Sequence, residues 1–486
     1  MVFAVALVAV PLSVSLLVFV APELRRFLAV AGPAGIVIAL VGAGQRLLTA
    51  GPERYPVGAW GPPGIALQLD ALGLLMLGLT AAVTTLTTLY ARGYWAGSGG
   101  RGDADRRERA FWPLWWMLWA GLNALFLTGD AFNAYICLEL ISLSAVALVA
   151  VAGSTGALRA ALRYLLVSLA GSLAYLLGVA LLYGRYGVLD LSAMAAALQP
   201  GPAGAAALAV MTAGLLMKTA LFPLHFWLPT AHSRAPGPVS AVLSALVVKA
   251  GFFLLLRLWF EAYSGWPLAP GTALLGGLGA VAVVWGSFQA LAAPRLKLLV
   301  AYSTVAQLGY LFLAFPLMSL PGAAAGLGRD GALYLAVSHG LAKGGAFLVA
   351  GTCLWTGGGD ELDRIGGVLR RLPISTAAFA LCGISLIGLP PTGGFVGKWL
   401  LLRSMAAAGA WIWLVVIALG TFLAVGYVFR VLVQVFDART EPADLARVPP
   451  RIMEISALLL ALGALGMGFL APVLEPLMRG LGAGRP

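Results

Sequence analysis

KTALFPLHFWLP, residues 218–229, interrupts a long apolar stretch and is the most informative segment of this chain. It closes an apolar run that begins at Pro202, and it carries a lysine five residues before Pro223. Proline removes a backbone donor and frees a carbonyl, which at membrane depth is tolerated only where protein or a water-filled cavity covers the backbone. The segment therefore predicts a discontinuous transmembrane helix with Lys218 close to its break.

A second segment repeats this pattern. Residues 373–408 contain LPPTGG at 389–394, and Lys398 follows Pro391 by seven residues. A straight helix of this length would measure roughly 50 Å, which is too long for a hydrocarbon core of about 30 Å. A matched pair of Gly/Pro-interrupted segments is the sequence sign of inverted repeats with sites near the bilayer midplane.

The composition predicts an all-α integral membrane protein. Of the 486 residues, 61% are hydrophobic and 10% are charged, whereas soluble domains carry about 25% charged residues. Residues 1–20 lack the basic start of a cleavable signal and are expected to form the first membrane helix. Apolar runs of about 20 residues predict about fourteen spans. Their centres lie near residues 11, 38, 80, 119, 141, 173, 214, 248, 282, 307, 342, 390, 422 and 464.

Four ionisable residues lie near the middle of long apolar stretches: Glu139, Lys218, Lys249 and Lys398. A charged side chain at the bilayer centre costs at least about 2.5–3.5 kcal/mol, so such residues are rare and usually functional. They indicate a path for protons or cations. Glu139 is the natural partner of Lys218, and a movement of a few ångströms would switch the lysine between holding and releasing a proton. The alternative is a static ion pair that locks two helices together.

Further polar residues extend this candidate path. Lys249 has no carboxylate near it in the sequence, which suits a proton relay, although snorkelling to an interface is the alternative. His339 and Lys343 are spaced i and i+4, on one face of a helix, and histidine suits proton transfer near neutral pH. Packing alone is the alternative for His339. Lys297, beside Arg295, is expected to be an orientation charge at a helix start.

Two groups of residues are candidates for the ends of the path. His225 and His232 flank the first break and are expected to line an inlet funnel, with surface or capping roles as the alternative. Ser303, Thr304 and Gln307 are expected to carry a water wire, although such residues more often hydrogen-bond neighbouring helices.

The charge distribution predicts the orientation. The formal net charge is +12, but the arginines cluster in short loops between spans, so the pattern indicates membrane topology and no nucleic-acid partner. Loops on one side, such as those with Arg25 and Arg159, carry about twice the positive charge of the others. The positive-inside rule then places both termini on the outer side of the cell membrane.

The sequence gives no sign of a cofactor or an active site. The three cysteines, Cys137, Cys353 and Cys382, are scattered singly and suggest neither a disulfide framework nor a metal site. There is no glycine-rich phosphate loop, and nothing suggests nucleotide, haem or iron–sulfur binding. An enzyme acting on lipid-linked substrates would need an aqueous loop with paired carboxylates, which the sequence lacks.

The motifs together resemble one protein family. KTALFPLHFWLP is followed by APGPVSA at 235–241, AYSTVAQLG at 301–309, Ser338-His339 with Lys343, and GLPP at 388–391 with Lys398. The chain from about residue 110 to 435 resembles the antiporter-like membrane subunits. These occur in respiratory complex I, in membrane-bound hydrogenases and in Mrp-type cation/proton antiporters.

The resemblance implies a fold and a set of roles. The implied fold has fourteen helices, with a segment at 1–109, inverted five-helix repeats at 110–265 and 266–436, each with a broken helix, and a last helix at 437–486. Glu139 and Lys218 would be the modulating ion pair, and Lys249 the first relay. His339 and Lys343 would form the central connection, and Lys398 the terminal proton carrier.

The resemblance also narrows the type of subunit. Lys249 argues against the L-type subunit of complex I, Lys398 against the M-type, and the His339/Lys343 pair against the N-type, whereas the D-type protein of the Mrp antiporter fits all three. The expected function is therefore proton translocation in a Na⁺(or K⁺)/H⁺ antiporter, with other membrane subunits as partners. A redox-driven pump subunit in a relative of complex I or of a membrane-bound hydrogenase is the alternative.

Overall fold

The computed structural model describes residues 2–57, 65–96, 102–437 and 441–472, and most of them are helical. The helices up to the first break are α1 (Val2–Val20), α2 (Arg25–Ala50), α3 (Ala71–Ala96), α4 (Asp103–Leu127), α5 (Ala131–Ala150), α6 (Thr155–Tyr186), α7 (Leu191–Ala197) and α8 (Pro202–Thr219). A short antiparallel hairpin of β1 (Glu53–Val57) and β2 (Ile65–Leu69) lies between α2 and α3, with Glu53 opposite Leu69.

The helices beyond the first break are α9 (Leu228–Arg234), α10 (Gly237–Val242), α11 (Val248–Arg257), α12 (Ala269–Ala292), α13 (Leu296–Phe312), α14 (Ala314–Met318), α15 (Ala323–Trp355), α16 (Ile365–Arg370), α17 (Pro373–Ile387), α18 (Gly393–Ala407), α19 (Trp411–Phe436) and α20 (Arg451–Phe469). Two π-helical turns, Leu243–Val247 and Leu258–Ala262, flank α11.

The protein is a multi-pass membrane protein. Within the described ranges, thirteen helical segments are long and apolar enough to cross a membrane. They are α1 to α6, α8, the continuous segment Gly237–Ala262, α12, the segment Leu296–Met318, α15, α19 and α20. The predicted span centred at residue 390 consists instead of two half-helices, α17 and α18.

Both predicted breaks are confirmed, and each begins before the prolines. Helix α8 ends at Thr219, and Ala220 takes a left-handed conformation with φ of 56° ahead of the cis bond Phe222–Pro223. Helix α17 ends at Ile387, and Gly388 has φ of 87° ahead of the cis bond Pro390–Pro391. A left-handed residue that terminates the helix leaves its last carbonyls without intrahelical donors.

The chain forms two compact units. The first comprises Met1–Thr84, Gly100–Ala220 and Leu246–Leu268, and the second comprises Thr85–Gly99, Leu221–Ala245 and Ala269–Pro486. In the first unit, α8 packs against α6 and α11, and α4 packs against α1 and α5. In the second unit, α15 is central and packs against α13, α17, α18 and α20. The division into four segments at residues 109, 265 and 436 stays a prediction.

Candidate functional site

The first broken helix presents Lys218 on its last turn. Its side chain is 7% exposed, and Nζ donates to Ser142 Oγ at 2.6 Å and to Ser168 Oγ at 2.8 Å. Glu139 Oε1 lies 3.6 Å from the same Nζ. This distance is that of an ion pair without a direct hydrogen bond. The expected carboxylate is therefore beside the lysine, and two serines that the sequence analysis missed hold the amine.

Close packing of glycines brings these groups together. A Cβ on Gly171 of α6 would lie 2.8 Å from the carbonyl oxygen of Gly214 on α8. Small residues of this kind let two helix backbones approach closely in a membrane protein. Ser168 is almost one turn before Gly171 and Lys218 is one turn after Gly214, so the close approach places the hydroxyl against the amine.

Lys249 lies at the start of α11, directly after the π-helical turn Leu243–Val247. It is fully buried, and α11 packs against α8, the helix that carries Lys218. Its amine therefore does not reach the surface of the protein, which disfavours the snorkelling alternative.

The second broken helix encloses Lys398, which is 4% exposed. Nζ donates to the Ile387 carbonyl at 2.9 Å and to Thr421 Oγ1 at 3.0 Å, with the Leu386 carbonyl at 3.5 Å. The ring of Tyr310 lies below the amine, with its centroid 4.4 Å away. The two carbonyls belong to the end of α17, so the broken helix itself supplies acceptors to the lysine.

A run of polar groups along α13 links the centre of the second unit to Lys398. Lys343 Nζ donates to the Val300 carbonyl at 3.0 Å and to Ser303 Oγ. Gln307, one turn after Ser303, donates to the same Leu386 carbonyl that faces Lys398, at 2.9 Å. Lys343, Ser303, Gln307 and Lys398 therefore form a series of polar groups along α13. Hydrogen bonds join Lys343 to Ser303, and Gln307 and Lys398 to the same Leu386 carbonyl, while Ser303 and Gln307 are only neighbours one turn apart on α13.

Two other predicted residues border this series. Thr304 Oγ1 lies 2.9 Å from Ser244 Oγ. His339 is buried one turn before Lys343 on α15, as their i, i+4 spacing predicts.

The two histidines that flank the first break differ in their surroundings. His225 is half-buried and stacks on Phe222 at a centroid distance of 5.4 Å. His232 is fully buried and stacks on Phe347 at 4.7 Å. A surface position, which was the alternative for both, is therefore wrong for His232. Their role as an inlet stays a prediction.

The expectation that Lys297 is an orientation charge is wrong. The residue is 1% exposed, and its Nζ donates to the Ala235 carbonyl at 2.5 Å. Asp360, also 1% exposed, accepts from Arg295 Nε at 2.8 Å and from the Lys297 backbone N–H at 3.2 Å. The sequence analysis did not identify this cluster, because Ala235 and Asp360 lie about 60 residues before and after Lys297 in the chain.

A second buried charge cluster lies in the first unit and was also missed. Arg257 pairs with Asp70 at 2.5 Å and with Glu261 at 2.7 Å, and its side chain is 8% exposed. The i, i+4 spacing of Arg257 and Glu261 was the available signal.

The described residues hold no group of three or more His, Cys, Asp or Glu side chains that could bind a metal ion. The three cysteines are free and buried.

Comparison with known proteins gives consistent matches. A family described as NADH:quinone oxidoreductase/Mrp antiporter, TM, matches residues 128–424. NADH-quinone oxidoreductase subunit N of Desulforudis audaxviator is 37% identical over 85% of this chain and 81% of that protein. The D subunit of the Na⁺/H⁺ antiporter of Bacillus subtilis is 29% identical over 94% of this chain and 92% of that protein.

A solved structure matches over almost the whole length. A chain of the Mrp complex from Dietzia sp. DQ12-45-1b superposes with a TM-score of 0.86 at 23% identity, over 99% of this chain and 96% of that chain. This match establishes that the two chains share a fold.

Proposed function

Because the chain belongs to the NADH:quinone oxidoreductase/Mrp antiporter transmembrane family, we propose that it is the proton-translocating subunit of a multisubunit Na⁺(or K⁺)/H⁺ antiporter of the Mrp type. One observation carries the proposal: each broken helix holds a buried lysine amine beside its break, at Lys218 and at Lys398. Buried amines at broken membrane helices are typical of ion pathways.

The first pair is suited to control a proton. Glu139 stands 3.6 Å from Lys218 Nζ without a direct hydrogen bond, while Ser142 and Ser168 hold the amine. At an effective dielectric constant of about 20, moving the carboxylate from about 4 to about 8 Å weakens the attraction by about 2 kcal/mol. Such a change alters a proton-binding equilibrium about 30-fold. A small movement of Glu139 would therefore make Lys218 release its proton.

The path then follows the remaining buried groups. Lys249 receives the proton first, His339 and Lys343 carry it onward, and Ser303 with Gln307 leads it along α13 to Lys398. Thr304 lies beside this path, and His225 and His232 line an inlet. The order from Lys249 to His339 rests on the family resemblance. The step from Lys343 to Lys398 rests on the hydrogen bonds at its two ends and on the one-turn spacing of Ser303 and Gln307 on α13 between them.

The proposed setting is the cell membrane, with both termini on the outer side. The partners are other membrane subunits of the same complex, and the transported ions are protons and Na⁺ or K⁺. The antiporter relative from Bacillus subtilis is itself named as one subunit of an antiporter, which supports a place in a multisubunit assembly.

The test is antiport in everted membrane vesicles that contain the whole complex. Lys218→Ala should abolish the collapse of the pH gradient on addition of Na⁺ or K⁺, while the other subunits still co-purify with the variant. Arg106→Ala, at an exposed surface pair with Asp103, should behave as the wild type. Normal antiport in the Lys218→Ala vesicles would contradict the proposal.

A second candidate is a redox-driven proton-pumping subunit in a complex I-like or hydrogenase-like assembly. It is favoured by the 37% identity with a protein named NADH-quinone oxidoreductase subunit N. The same proton path would serve both machines. Proteins that co-purify with the chain decide between them: small antiporter subunits support the first candidate, and quinone-reducing or nickel–iron subunits support the second.

A further inference from the structure

The groups around Lys398 differ from those around Lys218. The amine of Lys218 faces a carboxylate, whereas the amine of Lys398 faces two main-chain carbonyls, one hydroxyl and one aromatic ring. All four of these groups around Lys398 are uncharged. Among the described residues, no carboxylate oxygen is paired with Lys398 Nζ within 4.0 Å.

The two carbonyls are held in place by the end of α17. Gly388, in the left-handed conformation, ends α17. The helix therefore supplies no backbone donor to the carbonyls of Leu386 and Ile387, which can accept hydrogen bonds from other groups. Gln307 fixes the Leu386 carbonyl by a hydrogen bond of 2.9 Å. The C-terminus of a helix also carries the negative end of the helix dipole, which favours a cation.

These groups are the ligands that an alkali-metal cation prefers. Unwound carbonyls and the C-terminal ends of half-helices coordinate Na⁺ in transporters, and carbonyl oxygens replace the hydration shell of K⁺ in channels. The face of an aromatic ring attracts a cation at the distance seen for Tyr310. A lysine ammonium bound here is a cation tethered to the protein.

We propose that the carbonyls of Leu386 and Ile387, the hydroxyl of Thr421 and the ring of Tyr310 form a binding site for Na⁺ or K⁺, in which the Lys398 ammonium is the tethered competitor. When Lys398 gives its proton to a water molecule, which becomes a hydronium ion, its neutral amine leaves the oxygen ligands to the metal ion. When the metal ion leaves, the amine takes up a proton and returns. One positive charge replaces another, so the exchange is electroneutral at this site.

The site is close to the surface of its unit. Gly388 separates it from Leu389, which is 42% exposed, and the next two prolines are exposed as well. A cation at the surface of this unit would therefore travel only a short distance to reach the oxygen ligands. This inference rests on the proposed antiporter function and names the point at which the metal ion meets the proton path.

The test is cation binding to the purified complex. The melting temperature is measured as NaCl or KCl replaces N-methyl-D-glucamine chloride at constant ionic strength, from about pH 6 to pH 9, because a ligand that binds the folded state stabilises it. One of the two metal ions should stabilise the wild type, and the comparison shows which one. Its apparent Kd should rise by up to about tenfold per pH unit as the pH falls, because one proton competes with one cation.

Three variants locate the site. Lys398→Met keeps the side-chain stem without the amine and should bind the cation with no dependence on pH. Thr421→Val removes one oxygen ligand and should raise Kd about tenfold. Thr272→Val, at a buried threonine on α12 that bonds to Ser319 instead, should match the wild type.

Lys398→Met also separates Lys398 from other titratable groups on the surrounding helices. These are Lys297, Tyr302 and Tyr310 on α13; Arg329, Asp330, Tyr334, His339, Lys343 and Cys353 on α15; Cys382 on α17; Arg403 on α18; Tyr427 and Arg430 on α19; and Arg451 and Glu454 on α20. If one of them caused the pH dependence, it would persist in Lys398→Met, and the proposal would be wrong.

Two further outcomes would overturn the inference. One is a melting temperature that responds equally to Na⁺, K⁺ and N-methyl-D-glucamine, and the other is an unchanged Kd in Thr421→Val. The proposed function is tested separately by Lys218→Ala in vesicles. Proton transport that depends on Lys218, in a complex that binds neither metal ion, would remove this inference alone.

Discussion

Lys218 and Lys398 each place an amine beside a broken helix but satisfy it in different ways. Lys218 uses two serine hydroxyls and a nearby carboxylate, and Lys398 uses main-chain carbonyls and a threonine. A charge partner that can move changes the energy of a buried ammonium more than a neutral acceptor does. At the residue scale, Lys218 is therefore suited to bind or release a proton as Glu139 moves. Lys398 is suited to exchange its ammonium group for a metal cation.

The hydroxyl of Ser168 should be required for full proton transport, because it accepts a hydrogen bond from Lys218 Nζ. Ser168→Ala leaves one donor of the buried Lys218 ammonium without its acceptor, which costs about 1–3 kcal/mol. We expect proton transport in vesicles to fall about tenfold, with normal amounts of complex. Ser172→Ala is the control, because Ser172 is buried one turn further along α6 and its hydroxyl has no hydrogen-bond partner in the described part of the chain. Equal losses in both variants would contradict a specific role.

Residue types revealed the charged part of the site but not its neutral part. Glu139 and Lys218 were recognisable because a charged residue within an apolar membrane segment is energetically costly and is usually functional. Ser142 and Ser168 were not, because serines are common in membrane helices and usually bond only to their own backbone. Lys297 was misassigned because the sequence does not show that Ala235 and Asp360 fold over it.

Among the elements, the two broken helices were the most predictable and the most informative. Prolines at 223, 390 and 391 indicated both interruptions, because a proline cannot continue the backbone hydrogen-bond ladder. The structure ends α8 at Thr219, four residues before Pro223, and α17 at Ile387, three residues before Pro390, and the left-handed residues Ala220 and Gly388 follow directly. The packing of the half-helices determines which carbonyls then face a lysine. Local sequence does not predict this packing.

Gly388 should be required both for the backbone and for Lys398. A Cβ there would lie 2.8 Å from Lys398 Cδ, and φ of 87° disfavours any other residue. Gly388→Ala should therefore displace the lysine stem and lower antiport at least tenfold. Gly409→Ala is the matched control, since Gly409 also has a positive φ, of 64°, but a Cβ there meets no atom within 4 Å. Both variants should lose about 1 kcal/mol of stability from backbone strain. Only the first should lose transport, as measured in vesicles with equal amounts of complex.

The hairpin β1–β2 and the start of α7 are joined by an ion pair between Arg54 and Asp190. Burial raises the pKa of Asp190, but hydrogen bonds from the Ala193 N–H, Arg54 and Ser192, with the charge of Arg54, outweigh it and hold the pKa below its usual value. A carboxyl group with a lowered pKa stabilises the folded state above the unfolded pKa of about 3.9, and this stabilisation is lost as the pH falls through the folded pKa.

Arg54→Gln should therefore lower the melting temperature of the purified complex at pH 7, and its difference from the wild type should shrink below about pH 4. Arg106→Gln, at a pair with Asp103 in which both side chains are at least 80% exposed, should change the melting temperature little at either pH, because exposed ion pairs contribute little. A deficit of Arg54→Gln that stays constant with pH would mean that the arginine acts through packing alone.

On the scale of the whole molecule, hydropathy was sufficient to find the membrane segments. Thirteen of the predicted spans correspond to apolar helices, and the remaining one is the split pair of α17 and α18. The hairpin β1–β2 was not anticipated, because two five-residue strands in a loop carry no strong periodic signal. The inverted relation of the two repeats stays a prediction, since it depends on the path of the chain and not on any single segment.

The orientation of the whole protein in the membrane can be tested with cysteine labelling. The three native cysteines are buried, so an introduced exposed cysteine should dominate the reaction with a membrane-impermeant maleimide. Asp103 is the first residue of α4, and Gln199 lies between α7 and α8. Both are exposed, and the positive-inside rule assigns them to opposite sides of the membrane. Gln199→Cys should react in intact cells, and Asp103→Cys only in inverted vesicles. The reverse pattern would place both termini in the cytoplasm and would contradict the orientation that the positive-inside rule predicts.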